Sequence, residues 1–540
     1  MSDRYIDDHE IKKPTLTIGT HFFRINDPNP KIIDVITNYA RQYVQIGPSS
    51  KRNPGGKIKY EVKARFYRTS LIKNEFRFHI EQLDGLLTAF ESAGISPSDI
   101  EIIEKQYTKA PECKVSVKEG WVLRDYQIDV KSFILNKVVS ISRSRLASLP
   151  TGTGKTVIAL GTVVDLDCRI GIPVPAGYTD KWKSDVLEQL DVSEEDICMV
   201  TGRPALVKAV KKANEGIFYK VYIFSQETLA SFYKEYETEY FKEFEEHYGV
   251  LPEDIFEKLG IGVTIIDETH ESINMVFGMF TYMNVPLVIG LSGTLRSRDP
   301  FILKIQKLIF PATVRYEKVR MAKYISFLPT AYSFANIKAC KLKLTYNGTM
   351  YSQAAYEESI LKSKNPYLLK NFLKMIDTYF KEDFIDQKKD GERCAIYFSR
   401  VDMCELVTAF LKKKYPDMDI RKYTGEDPYE NATEAEVRVT TRGSCGTAID
   451  IKRLVSLITF DCVDSDVGNL QLLGRLRENK FSDTVPRFRQ LYCQQIEKHA
   501  IYQRNRHEVF ADRIKTVSYT RYTKPLDLDP LRAERLSDYR

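Results

Sequence analysis

Twice along the chain, short apolar runs that end on polar or glycine-bearing signatures alternate with helical stretches, first from about 119 to 310 and again from about 335 to 490. Strands buried on both faces of a parallel sheet read as continuous apolar runs, and helices carry the chain back between them. The pattern therefore predicts two helix-wrapped parallel sheets in tandem. The clearest runs are Leu146 to Leu149, followed by a helix opening on Val157, Ile158 and Leu160, then Gly262 to Ile266, and Ala395 to Phe398. Upstream, mixed strand-like and helical patterns predict a small α+β domain that closes near Pro111 to Glu119. Between the two alternations, Phe310-Pro311 through Leu328-Pro329 lacks periodicity and reads as a hinge. From Gln494 the pattern is helical to Thr516 and then polar, with Pro525 and Pro530. The expected division is 1–118, 119–325, 326–493 and a helical extension with tail at 494–540.

Two local patterns stand apart. After the turn Pro54-Gly55-Gly56, Ile58, Tyr60, Val62, Ala64 and Phe66 alternate with Lys57, Lys59, Lys63 and Arg65, which predicts a strand with one packed and one basic face. With Lys51, Arg52, Arg68 and Lys73 nearby, that face would track phosphates without reading sequence. The stretch Ser231 to Lys258 is rich in Tyr, Phe and Glu and predicts a helical excursion from the first sheet. Its charge pattern reads as a solvated amphipathic helix, with a partner-binding surface as the alternative.

Composition narrows the class. With 540 residues, 43% of them apolar, the chain fills several ordinary cores. No run approaches the roughly twenty consecutive apolar residues of a membrane helix, and the polar start MSDRYIDDHE is no signal peptide, so a cytoplasmic location without membrane partners is expected. Nine cysteines without a C-x-x-C pair indicate neither a disulfide framework nor a zinc site. A net charge of +7, from 80 basic and 73 acidic residues, permits a polyanionic partner without demanding one.

The strongest chemistry lies in Leu149-Pro150-Thr151-Gly152-Thr153-Gly154-Lys155-Thr156, between an apolar strand and a helix. In such a loop backbone N–H groups surround a triphosphate, the Lys155 ammonium neutralises its β and γ oxygens, and the Thr156 hydroxyl ligates Mg²⁺. ATP is the expected ligand. Leu149 stands where the strict pattern has glycine. The β-branched run ending at Ile266 delivers Asp267-Glu268-Thr269-His270 to the carboxyl end of a strand, where parallel sheets bind ligands. There Asp267 would hold Mg²⁺ through water and Glu268 would orient and deprotonate the attacking water. His270 is suited to sense phosphate occupancy.

These motifs, with Gly290-Leu291-Ser292-Gly293-Thr294 downstream, resemble the core of a superfamily 2 DExH-type helicase or translocase, over roughly residues 119 to 490. The resemblance implies two RecA-like domains and assigns further roles in order along the chain. Leu123-Arg124-Asp125-Tyr126-Gln127 resembles the adenine-side segment, with Gln127 reading the base and Tyr126 packing near it. Pro175 and Trp182, then Ser225 and Thr228, resemble contacts to the nucleic-acid backbone, and Ser292 and Thr294 the element coupling hydrolysis to movement. In the second sheet Ser399, Thr424 and Thr441 resemble strand contacts, and Gly446 and Asp450 the motif that meets the nucleotide. Gln471 and Arg475 resemble the motif supplying an arginine finger. Ala448 stands where relatives carry glycine, and Arg477 comes one residue early for the second arginine, which at a helix start would turn it by about 100°. The basic residues Arg504, Arg506, Arg513 and Lys515 would extend a nucleic-acid path or form a charged surface face.

LPTGTGKT, IGLSGTLRSRD and YEESILKSKNPYLLKNFL also resemble phage recombination helicases. That likeness implies a monomeric motor on branched or forked DNA, in the host cytoplasm. ATP would bridge two lobes and hydrolysis would shift them. Branch migration remakes each base-pair step it breaks, worth on average about 1.4 kcal/mol, so the motor would supply mainly direction. The motifs grip backbone, which leaves an RNA-directed motor as an alternative. A nucleotide-gated clamp without turnover is a third, against which Glu268 and Arg475 argue.

Overall fold

The computed structural model describes residues 13–49, 60–136, 143–150, 153–269, 273–293, 299–317, 323–345, 350–445, 451–479 and 481–529. It divides into two compact units near residue 320. Each holds one parallel sheet, so the expected tandem of RecA-like α/β domains is what the chain forms.

In the first unit the spatial strand order is Ile197–Val200, Val221–Ser225, Arg169–Val174, Ile261–Ile266, Leu287–Ser292, Ser144–Ser148 and Arg315–Tyr316, all parallel. The central strand Ile261–Ile266 is buried at every position, as its uniformly apolar and β-branched run requires. Helices cover both faces and build two cores, one around Leu146, Phe224 and Ile266 and one around Leu160, Ile172 and Ile265.

The accessory section folds onto this unit. Its five-stranded sheet runs Arg68–Ser70, Glu75–His79, Phe22–Asn26, Thr15–Ile18 and Glu101–Glu104, antiparallel except for the last pair. The helices Pro30–Ala40 and Leu83–Ser92 pack on it around Phe23, Ile36, Phe78 and Leu86. The Tyr- and Glu-rich excursion is helical as expected, with helices Gln226–Thr238 and Phe241–Tyr248. It is not solvated, however: Phe232, Tyr233, Tyr236 and Phe244 are buried in a core that also holds Tyr43 and Phe66 of the accessory section. The partner of this amphipathic surface is the chain's own N-terminal sheet.

A buried ionic cluster closes that junction. Arg77 lies between Glu75 and Glu253, and Glu253 also meets Arg24 at 3.1 Å and Lys105 at 3.2 Å. Arg77 also stacks against the Tyr282 ring, at 4.5 Å from its centroid. Burial alone would raise the Glu253 carboxyl, but the surrounding cations hold it down at about 2. The Asn284 side chain accepts from the Thr20 backbone N–H at 3.0 Å and fastens the other edge.

In the second unit the order is Ile420–Tyr423, Val437–Thr441, Arg393–Phe398, Leu454–Thr459, Arg487–Cys493, Ile325–Tyr332 and Ile514–Val517, with Thr520–Arg521 beside the sixth strand. Two sequence expectations are corrected here. Leu328-Pro329 lies inside a strand and not in a hinge; pairing toward the C-terminal strands is interrupted at these two residues, where proline has no N–H to give. The C-terminal section is helical only over Glu497–Phe510; Ile514–Val517, mostly within the stretch expected to be helical, and Thr520–Arg521 in the polar tail each add a strand to the sheet. No helix among the described residues is long and apolar enough to cross a membrane.

Candidate functional site

The strand Ser144–Ser148 precedes the helix Lys155–Val163, whose N-cap, Gly154, adopts φ +77°. A side chain there would be strained, and a Cβ would stand 2.7 Å from the Gln127 amide nitrogen. That nitrogen donates to the Thr153 carbonyl at 3.0 Å, and the Tyr126 hydroxyl donates to the same oxygen at 2.8 Å. The Gln127 carbonyl oxygen in turn accepts from the Arg124 N–H at 2.9 Å. The residues expected on the adenine side thus clasp the glycine turn directly.

Lys155 opens the helix and is buried to 9% exposure, with its ammonium 2.9 Å from Glu268 Oε1. The Glu268 N–H donates to Asp267 Oδ1 at 2.9 Å, and Glu268 itself takes a left-handed backbone, φ +44°, uncommon for a residue with a side chain. The Asp267 carboxyl is held above the ordinary carboxylate range, first by loss of solvation and then by the neighbouring Glu268 charge, while Lys155 pulls it back. Next along, the Thr269 N–H donates to the Leu291 carbonyl at 3.0 Å, and the Leu149 N–H to the Ser292 carbonyl at 2.8 Å. Ser292 is fully buried between them. Lys155, Asp267, Glu268 and Ser292 are therefore joined at the carboxyl edge of one sheet.

The residues fit a magnesium-bound triphosphate. A helix N-terminus presents backbone N–H groups beside a buried ammonium, and the Thr156 hydroxyl and Asp267 carboxylate are the oxygen donors a hard cation takes. Thr151, Gly152, His270, Thr294, Lys59, Gly446 and Asp450 lie outside the described residues. No group of three or more His, Cys, Asp or Glu suited to a metal occurs among the described residues.

The expected nucleic-acid contacts divide. Pro175 follows one strand and Ser225 ends its neighbour, and Glu227, inside the run Ser225–Thr228, gathers them: its Oε2 accepts from the Ala176 N–H at 3.0 Å and from the Ser225 hydroxyl at 2.6 Å. The Thr228 hydroxyl accepts from the Gly202 N–H at 2.7 Å. Trp182 is 1% exposed within the core beneath, so its side chain is not available for the backbone contact expected of it. In the accessory section the alternating strand is Tyr60–Arg65, paired with Val44–Pro48 as a two-stranded arm. Its apolar face does not pack as expected: Tyr60 and Val62 are 64% and 48% exposed, and among its described residues only Ala64 and Phe66 reach the core. Lys63 is paired with Glu61 at 2.7 Å and Arg65 is exposed. Lys73 donates to the Tyr236 and Glu239 carbonyls and Arg68 faces Glu237, so both belong to the domain junction and not to a basic surface.

In the second unit Ser399 and Thr424 follow, and Thr441 ends, three neighbouring strands, and their hydroxyls bond to Asp461, Asp427 and Ser444. Behind them lies a buried polar network that the sequence did not disclose. Both Glu357 carboxylate oxygens accept from the Ser399 N–H, and one also accepts from the Arg400 N–H. Burial pushes the Glu357 carboxyl up to about 8 against the pull of these donors. Asp461 pairs with Arg442 at 2.8 Å, and the Asn469 carbonyl oxygen accepts from Arg442 and Arg506. Arg506 and Arg513 are buried, which removes them from the basic path expected of the C-terminal helix. Asn469 and Gln471 lie on the helix Asp466–Leu473, with Gly474 as its C-cap. Arg475 and Arg477 therefore follow a helix end, so the 100° displacement expected at a helix start does not apply; Arg475 is mostly buried and Arg477 half-buried.

Residues 121–297 match the family model of the type III restriction enzyme res subunit. Among solved structures, the crystal structure of T4 UvsW aligns at 15% identity over 96% of this chain and 100% of that one, with a TM-score of 0.30, too loose a superposition to carry geometry or activity across. We found no match among curated proteins. Residues 121–297, which carry the glycine turn, Lys155 and Glu268, are thus similar to the res subunit of type III restriction enzymes.

Proposed function

We propose that this chain is an ATP-driven motor that remodels branched DNA, by fork regression, junction branch migration or displacement-loop dissolution. The observation that carries the reading is the Lys155–Glu268 pair at 2.9 Å, with Asp267 beside it, at the carboxyl edge of the first sheet. Lys155 takes the β and γ phosphates and in doing so releases Glu268 from its ion pair. Glu268 then accepts a proton from the attacking water, a contribution of about 10²–10⁴ in rate for general-base catalysis. Thr156 and Asp267 would hold Mg²⁺, which when bound would neutralise charge developing on the phosphoryl oxygens. Gln127 and Tyr126 link adenine recognition to the turn that Thr153 and Gly154 form. Arg475 serves as the arginine finger, a role worth about 10³–10⁵ in rate, with Gln471 beside it on the preceding helix. Pro175 and Ser225 in the first unit, and the Ser399, Thr424 and Thr441 turns in the second, offer the backbone grips, and the arm Tyr60–Arg65 adds a contact from the accessory section.

The test compares ATP hydrolysis without nucleic acid and with a four-way junction, single-stranded DNA or structured RNA. Strongest stimulation by the junction supports the reading. Stimulation by RNA alone would make this an RNA-directed motor, and binding without turnover would make it a clamp.

A further inference from the structure

Beside the Ser399–Arg400 turn, on the outer side of the helix Gln353–Leu361, lies a cavity of about 680 Å³ whose rim carries Lys341, Lys343, Lys362 and Lys364 against one carboxylate, Glu358. Two consecutive acids of that helix face opposite ways. Glu357 points inward and accepts the Ser399 and Arg400 N–H groups, while Glu358 points outward to Lys362 and lies 3.9 Å from Arg400. The cavity is thus tied through one helix turn to the segment expected to contact nucleic acid, whose own hydroxyl is turned away toward Asp461. Lys341 and Lys364 have no acidic partner among the described residues, and both are exposed. Asn365 on the lining is held in place: its amide donates to the Leu528 carbonyl at 2.7 Å, and its side-chain oxygen caps the long helix Pro366–Phe380 by accepting from the Tyr367 N–H.

We propose that this lysine-rimmed cavity binds phosphodiester groups of the nucleic-acid backbone and is the cationic grip of the second unit. Lysine is suited to this as a flexible point charge that finds a phosphate oxygen without reading a base. The inference rests on the motor reading above and deepens it by naming where the second unit takes hold.

The experiment is the salt dependence of nucleic-acid affinity for the full chain and for K341E/K364E, with K341A/K364A as a milder second variant. Each lysine–phosphate contact contributes about 0.9 to the slope of log affinity against log salt on duplex, and about 0.7 on single strands. Loss of two contacts therefore lowers the slope by about 1.8 or 1.4, and over the decade from 1 M to 0.1 M salt it weakens duplex binding about sixtyfold. ATP hydrolysis without nucleic acid and the unfolding temperature stay at wild-type values, since neither side chain holds an ion pair. A variant with unchanged affinity and slope, beside a wild-type chain that binds, overturns this proposal alone. So does a raised KM for ATP with unchanged nucleic-acid affinity, which would make the cavity a site for free nucleotide phosphates. A wild-type chain that binds no nucleic acid overturns the motor reading as well.

Discussion

Replacing Glu253 with glutamine tests how the accessory section is held. The carboxylate is fully buried between Arg77, Arg24 and Lys105, and its titration is lowered from 4.5 to about 2. At about 1.36 kcal/mol per pKa unit, that shift corresponds to roughly 3 kcal/mol of stabilisation of the charged form in the folded state. Removing one partner of a buried ion pair independently costs about 3–5 kcal/mol. The two routes agree, and at about 2 °C per kcal/mol for a unit of this size E253Q lowers the melting temperature by about 6 °C. Because the folded carboxyl titrates below its unfolded value, this stability is fully present above about pH 4.5 and is lost as pH falls through about 2. Thermal unfolding scanned by calorimetry between pH 7 and pH 3 reads both effects. Wild type loses stability as acid approaches, and E253Q loses correspondingly less. A melting temperature within 1 °C of wild type, with an unchanged acid profile, would refute the role given to this cluster.

Other substitutions separate binding from chemistry. Gly154→Ala places a Cβ at φ +77° and 2.7 Å from the Gln127 amide, so ATP affinity measured by titration calorimetry should fall about tenfold, for a strain of about 1–2 kcal/mol; unchanged affinity would contradict the clasp. Arg475→Ala should lower nucleic-acid-stimulated hydrolysis by about 10³ or more while nucleotide binding persists, read by single-turnover kinetics. Trp182→Phe leaves a void in the first core and should lower the melting temperature, yet leave nucleic-acid affinity within twofold by fluorescence anisotropy; a tenfold loss would restore the direct contact that its burial removes.

Motif residues were legible because a buried parallel strand is uniformly apolar and its functional residues follow where the run stops. Ile261–Ile266 leading into Asp267 obeys this, whereas Ser144–Ser148 holds only Leu146 and Ala147 as apolar residues and was legible through the glycine-rich run that follows it. What could not be read is the partner of a face. Phe232, Tyr233 and Tyr236 make an amphipathic pattern that fits solvent, another protein or the chain's own sheet equally, and contacts with residues more than 150 positions away decide it. The same gap misled in the other direction at Tyr60 and Val62, where alternation promised a packed face and the arm leaves it in solvent. Arg506 shows that a cation on a polar helix can be a buried structural donor, because Asn469 and the Asp461 carbonyl await it. Ile514–Val517 escaped notice because only Ile514 is buried, too little apolar signal for a strand.

The central claim is that Glu268 activates water at the triphosphate that Lys155 holds. Its most direct test is ATP binding and junction-stimulated hydrolysis by Glu268→Gln, measured side by side with wild type. The account predicts retained binding of ATP with magnesium and hydrolysis reduced by about 10² or more. Hydrolysis within a few-fold of wild type would contradict it.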